Sequence, residues 1–311
     1  NDVWSSGNGI DWTQTLPAPP WAARVYHQAL VFNGEMWVIG GWDGVAYVPR
    51  NADVWHSPDG INWTQSVATA PWPGRNFFGA VVHSGRMWIM GGFDGNVGMN
   101  DVWSSSDGVS WTRATAGASW KKRTAISVLD YSGRMWLLGG FDPTNSGTFA
   151  DVWSSTDGAT WLQETANAWP TRNAHSAAVY QGAMWIMGGA TTALDYADVW
   201  TSTNGVSWTR ATDSAWPKRW GQTSVVFDNK LWILGGVDPA ISAIYHDVWY
   251  VDAGASLSGQ VTAASTGAPA ACSAVVVTPL GVPRDLIPWR STRRDSTARA
   301  GRLRYQRARS H

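Results

Sequence analysis

The chain has 311 residues, and its 24 tryptophans and 33 glycines, with Lys, Glu and Leu scarce, depart far enough from ordinary globular usage to exclude a mainly helical protein. The formal charge of +0 conceals two unlike parts, because from Leu280 onward the basic residues are all Arg, between Arg284 and Arg309, opposed only by Asp285 and Asp295. The body before them is therefore acidic, which excludes a nucleic-acid groove built on clustered Lys and Arg.

The single cysteine, Cys272, rules out a disulfide framework, and no apolar run reaches the ~20 residues that span a bilayer. An Asp-Val-Trp triplet at Asp2-Val3-Trp4 returns at Asp53, Asp101, Asp151, Asp198 and Asp247, roughly every 48 residues. A double glycine recurs between the triplets, at Gly40-Gly41, Gly91-Gly92, Gly139-Gly140, Gly188-Gly189 and Gly235-Gly236.

In chain order, Asn1 to Trp21 reads as a half unit with a turn at Asn8-Gly9. Full units follow at about 22–72, 73–120, 121–169 and 170–216, and a last unit at 217–252 lacks its outer strand. The unit from Arg75 to Trp120 shows the pattern. Phe78 to His83 and Met87 to Met90 are short apolar runs ended by Ser84-Gly85 and by Gly91-Gly92, as suits strands covered on both faces. Asp101 to Ser105 is a third strand, and Asp107-Gly108 has the composition of a two-residue type I′ turn leading to an outer strand at Trp111-Thr112-Arg113. A lone four-stranded antiparallel sheet of this kind cannot cover its own apolar faces, and radial stacking of copies does so while leaving only short edges.

The succession of Arg, apolar strand, Met-Trp strand, Gly-Gly, Asp-Val-Trp and distal Trp resembles the Kelch repeat, with Trp where the family usually carries Tyr. This resemblance covers residues 1 to about 252. It implies an all-β Kelch-type β-propeller of four-stranded antiparallel blades, in the superfamily of the galactose oxidase central domain. The expected ring is six-bladed with a truncated first blade, the alternative being five blades with Asp11 to Gln14 as the last outer strand. Residues 253–282, with Ser256-Leu257-Ser258-Gly259 and Thr266-Gly267-Ala268-Pro269, resemble the start of a carboxypeptidase-regulatory-like or Cna-B-type immunoglobulin-like domain. The segment 283–311 reads as an irregular Arg-rich tail, either disordered or the end of an aberrant reading frame.

The copper chemistry of galactose oxidase does not carry over, because it needs a Tyr crosslinked to Cys and residues 1–252 contain no cysteine. No catalytic residue, metal or cofactor is assigned. His27 and His175 occupy one place in two units, three residues after Arg24 and Arg172, and read as structural. The only glutamates, Glu35 and Glu164, fall in a tight turn and on an outer strand, so glycoside hydrolysis would need an Asp pair.

If strands alternate in direction, the loops after the double glycines and those leading into Arg75 and its counterparts share one side. Residues there that break the repeat are the binding candidates: Trp42, Tyr47, Arg50, Phe93, Lys121, Lys122, Phe141 and Trp220. The repeated Arg and Trp residues read as ties between blades. A secreted or cell-surface recognition module, monomeric within a larger protein and binding a protein or a glycan, is the expected function; a carbohydrate-active enzyme with an Asp-based site is the alternative.

Overall fold

The computed structural model describes residues 1–44, 50–238, 241, 243–252, 261–264 and 306–307. Its body is a propeller of five four-stranded antiparallel blades. Blade one comprises Gln28–Phe32, Glu35–Gly41, Asn51–Ser57 and Thr64–Val67 from inside to outside, and blade two Gly79–His83, Arg86–Met90, Val102–Ser105 and Thr112–Thr115. Blade three is Ser127–Tyr131, Arg134–Asp142, Gly147–Ser155 and Leu162–Thr165; blade four is Ser176–Tyr180, Ala183–Met187, Val199–Ser202 and Thr209–Thr212. Blade five has Thr223–Phe227, Lys230–Leu234, Val248–Asp252 and Val261–Ala264.

The five-blade alternative holds and the expected six-bladed ring with a truncated first blade is corrected: Val3–Ser5 and Thr13–Leu16 form a two-stranded sheet of their own beside the five. Asp11 to Gln14 does not supply the outer strand of blade five either, because Val261–Ala264 pairs antiparallel with Val248–Asp252 and fills that place. Of residues 253–282, expected to open an immunoglobulin-like domain, only 261–264 are described, and they pair into blade five. From the Arg-rich segment only Gln306–Arg307 is described, paired parallel to Val261–Ala264.

The turns also differ from expectation. Positive φ at both central residues belongs to the inner hairpins, as at Ser84 (48°) and Gly85 (69°), which accounts for their two-residue connections. In the outer hairpins only the glycine turns left-handed, and a longer loop is held by side chains. The Asp107 carboxylate accepts the amides of Val109 and Ser110, while Ser105 Oγ accepts that of Gly108. Those backbone bonds, from Ser110 first, draw Asp107 below the usual carboxylate range.

The tryptophans pack between blades. Trp72, Trp120 and Trp169 meet Trp111, Trp161 and Trp208 of the next blade edge to face, with ring centroids 5.9, 5.9 and 4.6 Å apart. The Met-Trp tryptophans lie under the next blade's outer loop, so that a Cβ on Gly108, Gly158 or Gly205 would collide with Trp37, Trp88 or Trp136. At Gly205 that atom would lie 1.9 Å from Trp136, on a residue with φ of +74°. Gly205→Ala is expected to cost about 2–4 kcal/mol in urea unfolding, from overpacking added to left-handed strain. Gly182→Ala, where φ is +72° but the space is open, should cost markedly less. Equal losses would mean that the contact with Trp136 contributes nothing.

The repeated arginines act differently from the interblade side-chain ties expected of them. Each guanidinium binds within its own blade: Arg24 to Asp53, Arg75 to Asp101, Arg123 to Asp151, Arg172 to Asp198 and Arg219 to Asp247, at 2.6–2.8 Å. It is their backbone that crosses, as when the Arg75 amide donates to Asn51 and its carbonyl accepts from Gly41. Burial pushes the Asp101 and Asp247 carboxyls up, but the bonds and charge of Arg75 and Arg219 outweigh it and hold both below their ordinary value. Among the described residues, no helix is long and apolar enough to cross a membrane.

Candidate functional site

The innermost strands surround a central channel of about 380 Å³ lined by small and polar residues, among them Gln28, Ser127, Ser176 and Ser224. At one mouth of this channel the residue after each double glycine bridges to the residue following the repeated arginine. The pairs are Val25 with Trp42, Asn76 with Phe93, Thr124 with Phe141, Asn173 with Ala190 and Trp220 with Val237. Two segments far apart in sequence thus form one rim in every blade, as the alternation of strands requires.

One residue along, the rim is tied together. Phe77 N–H donates to the Tyr26 carbonyl, Ala125 to Phe77, Ala174 to Ala125 and Gly221 to Ala174, at 2.7–3.1 Å. Tyr26, Phe77, Ala125 and Ala174 all hold φ between 50° and 56° to make these bonds, a conformation that costs a side-chain-bearing residue on the order of 1 kcal/mol. Consequently the Tyr26 and Phe77 rings stack with centroids 3.6 Å apart. Sequence reasoning missed this pair, although two aromatics at one repeat position in successive units are a usable signal.

The first of the expected candidates is Trp42, bridged to Val25 next to Tyr26. The Arg50 guanidinium sits 4.5 Å from the centre of the Trp42 ring, a cation–π arrangement, and its Nε is sealed from solvent without a hydrogen-bond partner among the described residues. It also reaches blade two, where a Cβ on Gly95 would lie 3.3 Å from Arg50 Cζ. Phe93, partly exposed, pairs with both Asn76 and Gly98 in that neighbouring loop. Trp42 and Phe93 are thus carried on segments paired with Val25 and Asn76, the residues just before Tyr26 and Phe77, on blades one and two.

The remaining candidates are more dispersed. Lys121 and Lys122 are exposed ahead of Arg123 in blade three, where Lys121 is near enough to Asp142 to act on its charge. Phe141, in the same blade, pairs with Thr124 and Thr148 and is partly exposed. Trp220 belongs to blade five, bridged to Val237. Tyr47 lies outside the described residues. His27 and His175 sit inside the rim rather than on it, and burial, then Arg24 and Arg172, lowers them from 6.5 to about 4 and about 3.

The family model described as the KLHDC2/KLHL20/DRC7 Kelch-repeats domain matches residues 27–236, which is more than half of the sequence. The chain is a Kelch-repeat propeller. Its match to a solved structure described as "Structure of YjhT" has a TM-score of 0.68 at 16% identity, covering 82% of this chain and 88% of that one, so the likeness is one of fold. A search of curated proteins gives no match. In Kelch terms the Arg, Gly-Gly, Asp and Trp residues are the scaffold. What differs from blade to blade is the rim, where blades one and two carry the Arg50–Trp42 pair, Phe93 and the Tyr26–Phe77 stack.

Proposed function

We propose that this Kelch propeller is a non-catalytic recognition scaffold, secreted or exposed at a cell surface, that binds a protein through the rim of blades one and two. The observation that carries this reading is the Arg50–Trp42 pair together with the Tyr26–Phe77 stack. Partly exposed aromatics and an arginine held on a rigid rim are the side chains that dominate binding energy, because they bury large area with little loss of side-chain freedom. A glycan is a second ligand class for the same rings, which can stack on the apolar face of a sugar.

A specific observation supports the carbohydrate-active alternative. Burial, then the charge of Asp238, raises the Asp195 carboxyl above its ordinary value, and a carboxyl kept protonated near a second carboxylate suits general acid catalysis. Turnover of a broad panel of glycosides and sugar alcohols distinguishes the two readings, since none is expected from a scaffold.

The binding reading is tested by glycan arrays and by pull-downs with identified partners. Trp42→Ala together with Phe93→Ala is expected to weaken capture at least tenfold, about 1.4 kcal/mol or more, with the melting temperature little changed. Capture that survives both substitutions at full strength would remove this rim from consideration.

A further inference from the structure

The end of blade two away from the rim carries a side-chain cluster that the recognition surface does not use. Arg86–Met90 runs from the Ser84-Gly85 turn to Gly91-Gly92, so the turn and the rim residue Phe93 lie at opposite ends of that strand. Just before the turn, His83 is buried at the junction with blade three. Its Nδ1 lies 3.1 Å from Asp130 Oδ1 on the inner strand of blade three, while its Nε2 lies 3.1 Å from the Ser84 hydroxyl and 3.3 Å from the Thr156 carbonyl.

The other blades show what the fold asks of these positions. The place of His83 is held by Phe32, Tyr131, Tyr180 and Phe227, and both tyrosine hydroxyls donate to carbonyls of the following blade. An aromatic ring, with or without a bond to the next blade, therefore satisfies the packing. The place of Asp130 is held by Val31, Val82, Val179 and Val226. Histidine and aspartate each depart from the repeat once, and the two departures meet across a single junction.

From this we infer that Ser84 is an activated hydroxyl and a site of covalent acylation, with His83 as its base and Asp130 as the positioning residue. When Asp130 accepts from Nδ1–H, Nε2 is left to accept from the Ser84 hydroxyl, the arrangement by which an imidazole makes a serine nucleophilic. Ser84, Gly85 and Asp130 are all exposed, so an acyl group gains no enclosure at the turn and its donor must carry a good leaving group of its own. A thioester has that chemistry. Ser84 Oγ bonds to the thioester carbonyl carbon as the C–S bond breaks. The hydroxyl proton passes to His83 Nε2, where the Thr156 carbonyl accepts its hydrogen bond, and from there to the departing thiolate. The products are an ester at Ser84 and a free thiol.

The chain contains its own control. Ser132 occupies the same place in the turn of blade three, exposed and with φ of 49° against 48° at Ser84, but Tyr131 precedes it where Ser84 has an imidazole. The test incubates the folded full-length chain with N,S-diacetylcysteamine, a small thioester, and follows acetyl groups at both serines by peptide mass spectrometry. Ser84 is expected to react roughly tenfold faster than Ser132 or more, a share of the ~10²–10⁴-fold that positioned bases supply in enzymes. His83→Phe, with the ring that blades one and five carry there, should bring the ratio of the two rates close to unity. Asp130→Val should lower the ratio and Asp130→Glu restore part of it. Equal rates at the two serines in the unaltered chain, or a ratio unmoved by His83→Phe, would overturn the proposal. Neither serine belongs to the rim, so this outcome is independent of whether Trp42 and Phe93 bind a partner.

Discussion

Arg172→Met is expected to destabilise the propeller by about 3–5 kcal/mol, because it leaves the Asp198 carboxylate buried without its counter-charge. The Arg172 side chain has no exposure, and its guanidinium makes four bonds: two parallel ones to Asp198 at 2.6 and 2.9 Å, one to the Gly188 carbonyl and one to the Pro170 carbonyl. Asp198 in turn accepts the Trp200 indole N–H at 2.8 Å, so the loss reaches the interblade packing of that strand. For a chain of this size the deficit corresponds to roughly 6–20 °C in melting temperature. Arg172→Lys should recover little, since a single ammonium cannot meet a fork of carboxylate and carbonyl acceptors. Arg172→Met with Asp198→Leu should recover part of the loss, having removed both charges together. If Lys proves equivalent to Arg in thermal melts, the fork geometry is irrelevant and the ion pair merely neutralises charge.

The Arg–Asp fork also shows how far the sequence could be read. Arg172 and Asp198 are each visible as repeated residues, but their pairing spans 26 positions and depends on the second strand placing Gly188 between them. Repeat spacing reveals a unit and its strands because those are local properties of hydrophobic pattern and turn composition. It does not reveal which copies touch. The outer loops differ for a related reason: Asp107-Gly108 matches a two-residue turn by composition, yet the Ser105 hydroxyl and the Asp107 carboxylate accept the amides of Gly108 and Ser110 and open the loop. Blade number depends on which loop covers which tryptophan, as Gly9 covers Trp232, and that is a three-dimensional relation. Of the rim candidates, Trp42 and Phe93 are placed on adjacent blades by bridges from Val25 and Asn76. The Tyr26–Phe77 stack requires left-handed backbone at both residues, for which neither side chain gives a warning.

The second large effect is on acid stability, and it arises inside the channel. His175 is 5% exposed, and neither ring nitrogen has a hydrogen-bond partner among the described residues. Burial, then Arg172, therefore lowers it from 6.5 to about 3. As pH falls below 6.5 the unfolded chain takes up a proton that the folded chain refuses, so stability declines steadily down to about pH 3, below which no more is lost to this group. At about 1.4 kcal/mol per pH unit, His175 contributes a loss of at most about 3 kcal/mol by pH 4.5. His27, whose Nδ1 is sealed although the residue is partly exposed, adds a smaller loss in the same direction, over the window from 6.5 to about 4. The same position holds Phe78 in blade two and Ile126 in blade three, so the site accepts an apolar side chain. His27→Phe with His175→Phe should accordingly leave stability at pH 7.5 unchanged or higher, and flatten the decline between pH 6.5 and 4.5 in urea titrations. Parallel declines in the two proteins would assign the acid limb to carboxylates. The Arg-bound Asp101 and Asp247, held below their ordinary value, add their own loss as pH falls through the ordinary carboxylate range, overlapping the lower end of the histidine decline.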